Sequence, residues 1–511
     1  MSESSHPESA AGRHHDCCGC RCGPAKQRCS IPMNRRQLLG AAMATGAALL
    51  GGRIGRVLAE AEPAAAPHPP KAKILKLYSQ KAGMWEDWAR PDDRPWLSTE
   101  PAAVEKHLAA LAERLGGVEF VGPDRPLDTK QALELAAGQA KDVDGILVFS
   151  RDNGAALWPV LELGLPTAAF NITCHAFDPH QWDLKRRQAK NPRLLVLSSR
   201  DFSELDRGIR LLRVAGMLKR SRLLVVGTPA GDAETANFEK IKAELGIQAE
   251  VLPVKDLGRF FDSVPMKSAE AEAQQYWLKP ARRVYADTRR EDVVKASRFQ
   301  LALRQVMADR QAQAIAIDCL GALTAPKMDK EGYPCLGFSA LEDEGWVTSC
   351  QCDIDCALTK LIVRCAFDLP GFLGNIYFDT GKPSVILDHC TAPTRMAGRG
   401  GPRLPFEVLT HHTNTGAAPR VYMPVAEKAT VVRTVGLKGM LFYAAKITGN
   451  PEGTCRTTVE LEPVGQALTP ANYHPTGACG GLHHVLCLGD RVRDLKDLCT
   501  LLGLKHHADL A

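Results

Sequence analysis

The chain has 511 residues, 24% of them charged, 45% hydrophobic and only 6% aromatic, with a formal net charge of +6. Residues 1–61 carry 8 of the 64 basic and 4 of the 58 acidic side chains, so the remainder is close to neutral and offers no electrostatic case for a nucleic-acid partner. Apart from a short run near the N-terminus there is no long apolar stretch, which argues against a stable membrane anchor in the mature form.

That run is a leader. Met33-Asn34-Arg35-Arg36-Gln37-Leu38-Leu39 opens an uncharged, Ala/Gly-rich stretch to Gly52, and Ala59-Glu60-Ala61 follows as a small-residue cleavage pattern. Paired arginines before a weakly apolar run mark the twin-arginine route. The expectation is therefore export by the twin-arginine machinery to the periplasm or another extracytoplasmic space, with the working protein starting near Glu62. The residues ahead of Met33 hold Cys17, Cys18, Cys20, Cys22 and Cys29 beside His14-His15. Two readings stand: a soft metal-binding tail, and a segment ahead of the true start at Met33. The second is preferred, and 1–61 is set apart from the fold.

Residues 62–72 read as a Pro/Ala linker. Short apolar runs then alternate with helical periodicity: Ile74–Tyr78, a helix over Ala102–Leu115, Gly145–Phe149, Thr167–Phe170 and Leu194–Leu197. Arg222–Gly227 starts a second such unit. Its glycine turn, Gly227-Thr228-Pro229-Ala230-Gly231, lacks a dinucleotide fingerprint. A long helical region over Ser268–Ala308, broken near Pro280, leads to Ala314–Ile317. Such alternation predicts parallel sheets covered on both faces. From about Pro402 the pattern turns β-rich (Ala429–Val435, Met440–Ile447, Thr457–Leu461) and closes with a helix near Arg491–Leu502. The predicted class is α/β: parallel-sheet domains over 73–215 and 216–400, then a smaller β-rich domain over 401–511.

Four segments concentrate metal-capable and ionisable side chains: Ile317-Asp318-Cys319-Leu320-Gly321, Ser349-Cys350-Gln351-Cys352-Asp353-Ile354-Asp355, Leu387-Asp388-His389-Cys390-Thr391-Ala392-Pro393, and Gly480-Gly481-Leu482-His483-His484. Asp318 and His389 follow apolar strands, the edge at which open α/β sheets place ligands. Carboxylates and imidazoles converging from different strands suit a divalent metal. Cys350, Cys352 and Cys356 leave redox or iron–sulfur chemistry open, although no clean Cys-x-x-Cys pair accompanies them. Many of the other cysteines lie in apolar runs, where a free thiol behaves as a small hydrophobe, so few obligatory disulfides are expected.

At these residues the chain resembles the L-fucose isomerase family and, more distantly, L-arabinose isomerase. The resemblance rests on Pro334-Cys335-Leu336-Gly337 through Cys350-Gln351-Cys352-Asp353, on His389-Cys390-Thr391-Ala392-Pro393-Thr394, and on Gly480–His484 with Gly489-Asp490. It implies a sugar substrate, aldose–ketose exchange through an enediol, a divalent metal (Mn²⁺ above all) and a homo-oligomer. Position by position it assigns metal binding to Asp353, His389 and His484, and proton transfer to Asp318 and Asp353. Gln351, His483 and His412 are left as substrate contacts or supports of the ligands. Gln351 stands where the family has glutamate. An amide cannot serve as a carboxylate base, so a non-catalytic carbohydrate-binding or sensing protein is the alternative.

Overall fold

The computed structural model describes residues 71–80, 101–151, 154–172, 182–183, 185, 193–199, 201–321, 332–465, 468, 473 and 481–507. The leader, the N-terminal cysteines and most of the linker lie outside them.

The first apolar runs form a parallel sheet in the order β2-β1-β3-β4-β5. Its strands are β1 (Ala72–Gln80), β2 (Val118–Val121), β3 (Gly145–Arg151), β4 (Thr167–Ile172) and β5 (Leu194–Ser199). Helices α1 (Pro101–Leu115), α2 (Thr129–Gln139), α3 (Leu157–Leu161) and α4 (Ser203–Lys219) connect and cover it. Asp128 starts α2 with a reciprocal capping box to Gln131. α4 is buried on several sides because it lies against this sheet and the next core at once. Gly216 allows that approach: a Cβ there would sit 2.6 Å from Asp144 Oδ2 and 2.7 Å from Ala72 Cβ.

A second parallel sheet, β7-β6-β8-β9, follows from β6 (Arg222–Val226), β7 (Gln248–Val251), β8 (Ala314–Ile317) and β9 (Val347–Cys350). The helices here are α5 (Phe238–Leu245), α6 (Val254–Ser263), α7 (Met266–Glu272), α8 (Arg290–Asp309), α9 (Cys335–Glu344) and α10 (Ile354–Phe367). The predicted helix over 268–308 is thus two helices. α7 runs into a π-helical segment, Ala273–Leu278, and the chain leaves helical geometry around Pro280, which lacks the N–H that an α-helix would need.

The third part is a closed antiparallel barrel. Its strands are β10 (Phe372–Asp379), β11 (Ser384–His389), β14 (Lys428–Val435), β15 (Gly439–Gly449), β16 (Thr457–Pro463) and β17 (His483–Leu488). They run β14-β17-β10-β11-β16-β15, and β15 pairs back to β14. A hairpin of β12 (Phe406–Leu409) and β13 (Ala418–Val421) adjoins it, while α11 (Val492–Leu502) and β18 (Lys505–His507) end the described chain. Parallel α/β segments and a β-rich region are therefore both present. The barrel starts at Phe372, inside the stretch read from sequence as the central α/β domain. β10 and β11 are nearly continuous apolar runs, like parallel strands, because both of their faces are covered.

Alternation along β17 shows how the layers meet. Val485 and Cys487 join a core shared with α10, α4 and both parallel sheets, whereas Leu486 joins the core inside the barrel. Each fully buried Val or Leu contributes about 1.5–3 kcal/mol. This shared core holds the barrel mouth against the carboxyl edge of the second sheet.

Candidate active site

β8 and β9 are neighbours, and both deliver acidic groups at that carboxyl edge. Asp318 leaves β8 and accepts the Gly321 N–H at 2.8 Å, closing a turn. β9 ends at Cys350, and Gln351 and Cys352 then take φ values of +53° and +52°. Left-handed backbone costs a non-glycine residue about 1–2 kcal/mol, so two in succession make a strained corner. The corner is held by backbone hydrogen bonds: Ala230 N–H to Cys352 O, and Ile354 N–H to Ala230 O, both 2.9 Å. It aims Asp353 into α10 as its N-cap, where Oδ1 accepts the Cys356 N–H at 2.9 Å.

The other Asp353 oxygen faces the barrel. Oδ2 lies 3.1 Å from Arg433 Nη1 on β14 and 3.0 Å from His483 Nδ1 on β17. Arg433 also donates to the His483 carbonyl (2.5 Å) and, through Nη2, to Asp355 Oδ2 (3.1 Å). The glycine turn after β6 completes this arrangement. Asp232 N–H donates to Asp355 Oδ2 at 2.9 Å, and a Cβ on Gly231 (φ +129°) would lie 2.9 Å from the same oxygen. That turn cradles a carboxylate, which explains its glycine.

Burial raises the pKa of Asp353, but the His483 hydrogen bond and the Arg433 charge outweigh it and bring the group down to about 2. The carboxylate is therefore ionised and can only accept. His483 must therefore carry a proton on Nδ1, so that Nε2 is the atom it can offer to a ligand. His389, at the end of β11, packs edge-on to His483 with ring centroids 5.3 Å apart. Its Nδ1 is 3.2 Å from Thr391 Oγ1. The Nε2 atoms of His389 and His483 are both buried and have no hydrogen-bond partner among the described residues. Buried polar atoms without partners are uncommon enough to call for a ligand. The two strands flank β10, where Asn375 pairs with His483 on one side and with Asp388, the residue before His389, on the other.

His484 is placed differently. Neighbouring residues on a strand face opposite sides, and its Nε2 is hydrogen-bonded to the Tyr473 hydroxyl in a fully buried position. Of the residues picked from sequence, the structure brings together Asp353, His389 and His483. His484 turns away from them, and Asp318 and Gln351 remain at the sheet edge. The three thiols at 350, 352 and 356 part company: Cys350 Sγ is 3.0 Å from Cys319 Sγ, Cys356 Sγ is 3.1 Å from Arg433 Nη1, and Cys352 is buried near Asp318. His412 lies in another cluster, 3.2 Å from Cys390 Sγ.

Sequence reasoning missed Arg433 and gave Asp355, at the end of a singled-out segment, no role. The available signal was a lone arginine in an otherwise apolar strand, Thr430-Val431-Val432-Arg433-Thr434-Val435, and a second aspartate two residues after the helix cap. The supports of the His389 loop were missed as well. Asp343 accepts from Thr394 Oγ1 and, at 2.6 Å, from the Arg395 N–H, while Ser339 Oγ donates to Ala392 O at 2.5 Å.

Titration follows from this burial. Burial pushes His389 and His484 down from 6.5 to about 3. Their stabilising neutral state is complete above pH 6.5 and is lost as pH falls towards 3. Asp355 goes the other way: burial raises it from 3.8 to about 6 despite Arg433, so it favours the fold at low pH. Between pH 6 and 4 these three groups together bind about one proton more in the unfolded chain, a contribution of about 1.4 kcal/mol per pH unit lost on acidification. Urea unfolding of metal-free protein with and without His389→Gln measures the part owed to His389; an unchanged pH slope in the variant would contradict the assignment.

No family model matches the chain. It is similar to the sulfoquinovose isomerases of Priestia aryabhattai and Priestia megaterium (strain ATCC 12872 / QMB1551), 25% identical over 357 residues, covering 62% of this chain and 72% of each relative. The relationship supported is to a sugar isomerase; L-fucose isomerase is not shown by it. Among solved structures, a D-allose-bound periplasmic solute-binding protein from Actinobacillus succinogenes is 14% identical with a TM-score of 0.16, covering 50% of this chain and 83% of its own. A sugar ABC transporter binding protein from Bacillus halodurans is 11% identical with a TM-score of 0.15, covering 59% and 89%. TM-scores that low carry no argument about this chain.

Proposed function

We propose that this protein is a divalent-metal-dependent aldose–ketose isomerase related to the L-fucose isomerases, acting on a carbohydrate outside the cytoplasm. The observation that carries the reading is the pair of buried imidazole nitrogens of His389 and His483 that have no hydrogen-bond partner among the described residues, with Asp353 locked behind His483. Similarity to a sulfo-sugar isomerase supports the substrate class.

Imidazole nitrogens suit Mn²⁺ or a related ion, and His389 and His483 would hold it through Nε2. When bound, such an ion polarises the sugar carbonyl and the adjacent hydroxyl. The chain's own groups divide the remaining work. Asp353 fixes the His483 tautomer and ring, the usual role of a carboxylate behind a ligating histidine. With its oxygens committed and its pKa near 2, it is a poor proton acceptor. The proton shuttle between C1 and C2 therefore falls to Asp318, the partly exposed carboxylate at the neighbouring strand end. Gln351 supplies hydrogen bonds and no base.

The test is a panel of hexoses, deoxyhexoses and a sulfonated hexose offered with Mn²⁺ to the protein starting at Glu62. Aldose–ketose exchange on at least one is expected. Metal-loaded protein that binds a sugar without exchange would favour the carbohydrate-binding reading, for which Gln351 is the specific support. Changing Gln351 to Glu then separates a weakened enzyme from a binding protein: a gain on the order of 100-fold is what a restored acid–base group contributes.

Export by the twin-arginine machinery and assembly as a homo-oligomer belong to the same proposal. Changing Arg35-Arg36 to Lys-Lys is expected to hold the protein in the cytoplasm. Unchanged appearance in the periplasmic fraction would remove the export claim.

A further inference from the structure

A second cluster of soft ligands lies one residue beyond His389 and is not used by the proposed chemistry. One ligand atom from each of Cys390, His411 and His412 lies within 4.8 Å of the others, and among the described residues no other Cys, His, Asp or Glu group meets that test. Cys390 Sγ is 3.2 Å from His412 Nδ1 and is hydrogen-bonded to the thiol of Cys455. Cys335 packs against both cysteines. We propose that Cys390, Cys455, His411 and His412 form a Cys₂His₂ site for a soft divalent ion, Zn²⁺ by preference, whose role is structural.

The surroundings are built as such sites are. His411 Nδ1 is 3.0 Å from Thr413 Oγ1, and its ring stacks on Tyr333 at 4.1 Å, so its orientation is set. Arg456, next to Cys455, donates through Nε to the Thr410 carbonyl (2.5 Å) and through Nη2 to the His411 carbonyl (2.9 Å). The hairpin loop carrying both histidines is thereby tied to the segment just before β16 that carries Cys455. Asp388 accepts the Cys455 N–H at 2.9 Å, joining the third backbone segment. One thiol and two imidazoles within 4.8 Å of one another, with the Cys455 thiol hydrogen-bonded to the first, match structural zinc in ligand type, and Cys455 would complete the number. The ion would clamp β11, the β12–β13 loop and the start of β16 together, and so hold His389 in place from behind.

The experiment uses the full chain with Cys17, Cys18, Cys20, Cys22 and Cys29 changed to Ser, stripped of metal under reducing conditions and titrated with Co²⁺. A tetrahedral cobalt spectrum with a sulfur-to-metal charge-transfer band, displaced by Zn²⁺, is expected. Cys390→Ser or Cys455→Ser should remove the charge-transfer band. His412→Gln, at a half-exposed ring that tolerates change, should weaken cobalt binding by at least about 100-fold, the upper end of what loss of an outer partner costs. His483→Ala should leave the band intact, which separates this site from the proposed isomerase centre. Absence of the band, its persistence in both cysteine variants, or a Cys390–Cys455 disulfide in the reduced-handled protein would each overturn the assignment.

Discussion

His483→Ala is expected to lose the isomerase metal and aldose–ketose turnover together, whereas His484→Ala is expected to keep the metal and lose stability. The two residues are adjacent, so composition and spacing cannot separate them. His483 has Nδ1 committed to Asp353 and a buried Nε2 without a partner among the described residues. His484 has its Nε2 on the Tyr473 hydroxyl, on the opposite side of β17. Losing the oriented imidazole should reduce Mn²⁺ affinity by at least about 100-fold, as loss of an outer partner alone reaches that figure. His484→Ala leaves a buried cavity and removes the ring's hydrogen bond to Tyr473, a cost of about 2–5 kcal/mol. Metal analysis and urea unfolding of both variants decide the matter. Normal metal content in His483→Ala with loss in His484→Ala would restore the assignment that the family resemblance implies.

Arg433→Met should produce the largest change in stability. The guanidinium is 1% exposed and bonds two carboxylates, at 3.1 Å each, that are 7% and 0% exposed. Removing one member of a buried ionic network costs about 3–5 kcal/mol, because the charges left behind are not solvated. Asp355→Asn in the same chain should recover part of the loss by removing the more deeply buried stranded charge. Asp353 would still hold the fold through its helix cap, but His483 would lose its carbonyl anchor, so turnover should fall further than stability alone predicts. A loss under about 1 kcal/mol, or no rescue in the double variant, would mean that Arg433 is not the keystone described.

The alternation of short apolar runs with helices was legible because parallel strands covered on both faces need continuous apolar segments. The helix of 101–115, the four strands β3, β4, β5 and β8 and the last three long barrel strands before β17 all lie where their patterns predicted. The turn at 227–231 has its own use for a glycine: Gly231 leaves room for Asp355. The barrel's beginning at Phe372 was hidden, since β10 and β11 bear no alternation once both faces are covered.

Asp353, His389 and the His483-His484 pair could be picked out because each follows or opens a strand with few other reasons for a titratable group. Their roles could not. Which histidine faces Asp353 depends on the phase of β17, and that phase is set by Leu486 entering the barrel core while Val485 packs on α10. Arg433 is separated from Asp353 by 80 residues, and their contact exists only because β14 closes the barrel beside β17. By itself, then, the sequence determined the alternation of strands and helices that makes the sheets parallel, the glycine turn and the short list of candidate ligands, all local matters of side-chain pattern. Only the closure of the barrel decided which imidazole is offered, which carboxylate is already committed and which cysteines share a site with histidines, because strand register determines where each side chain points.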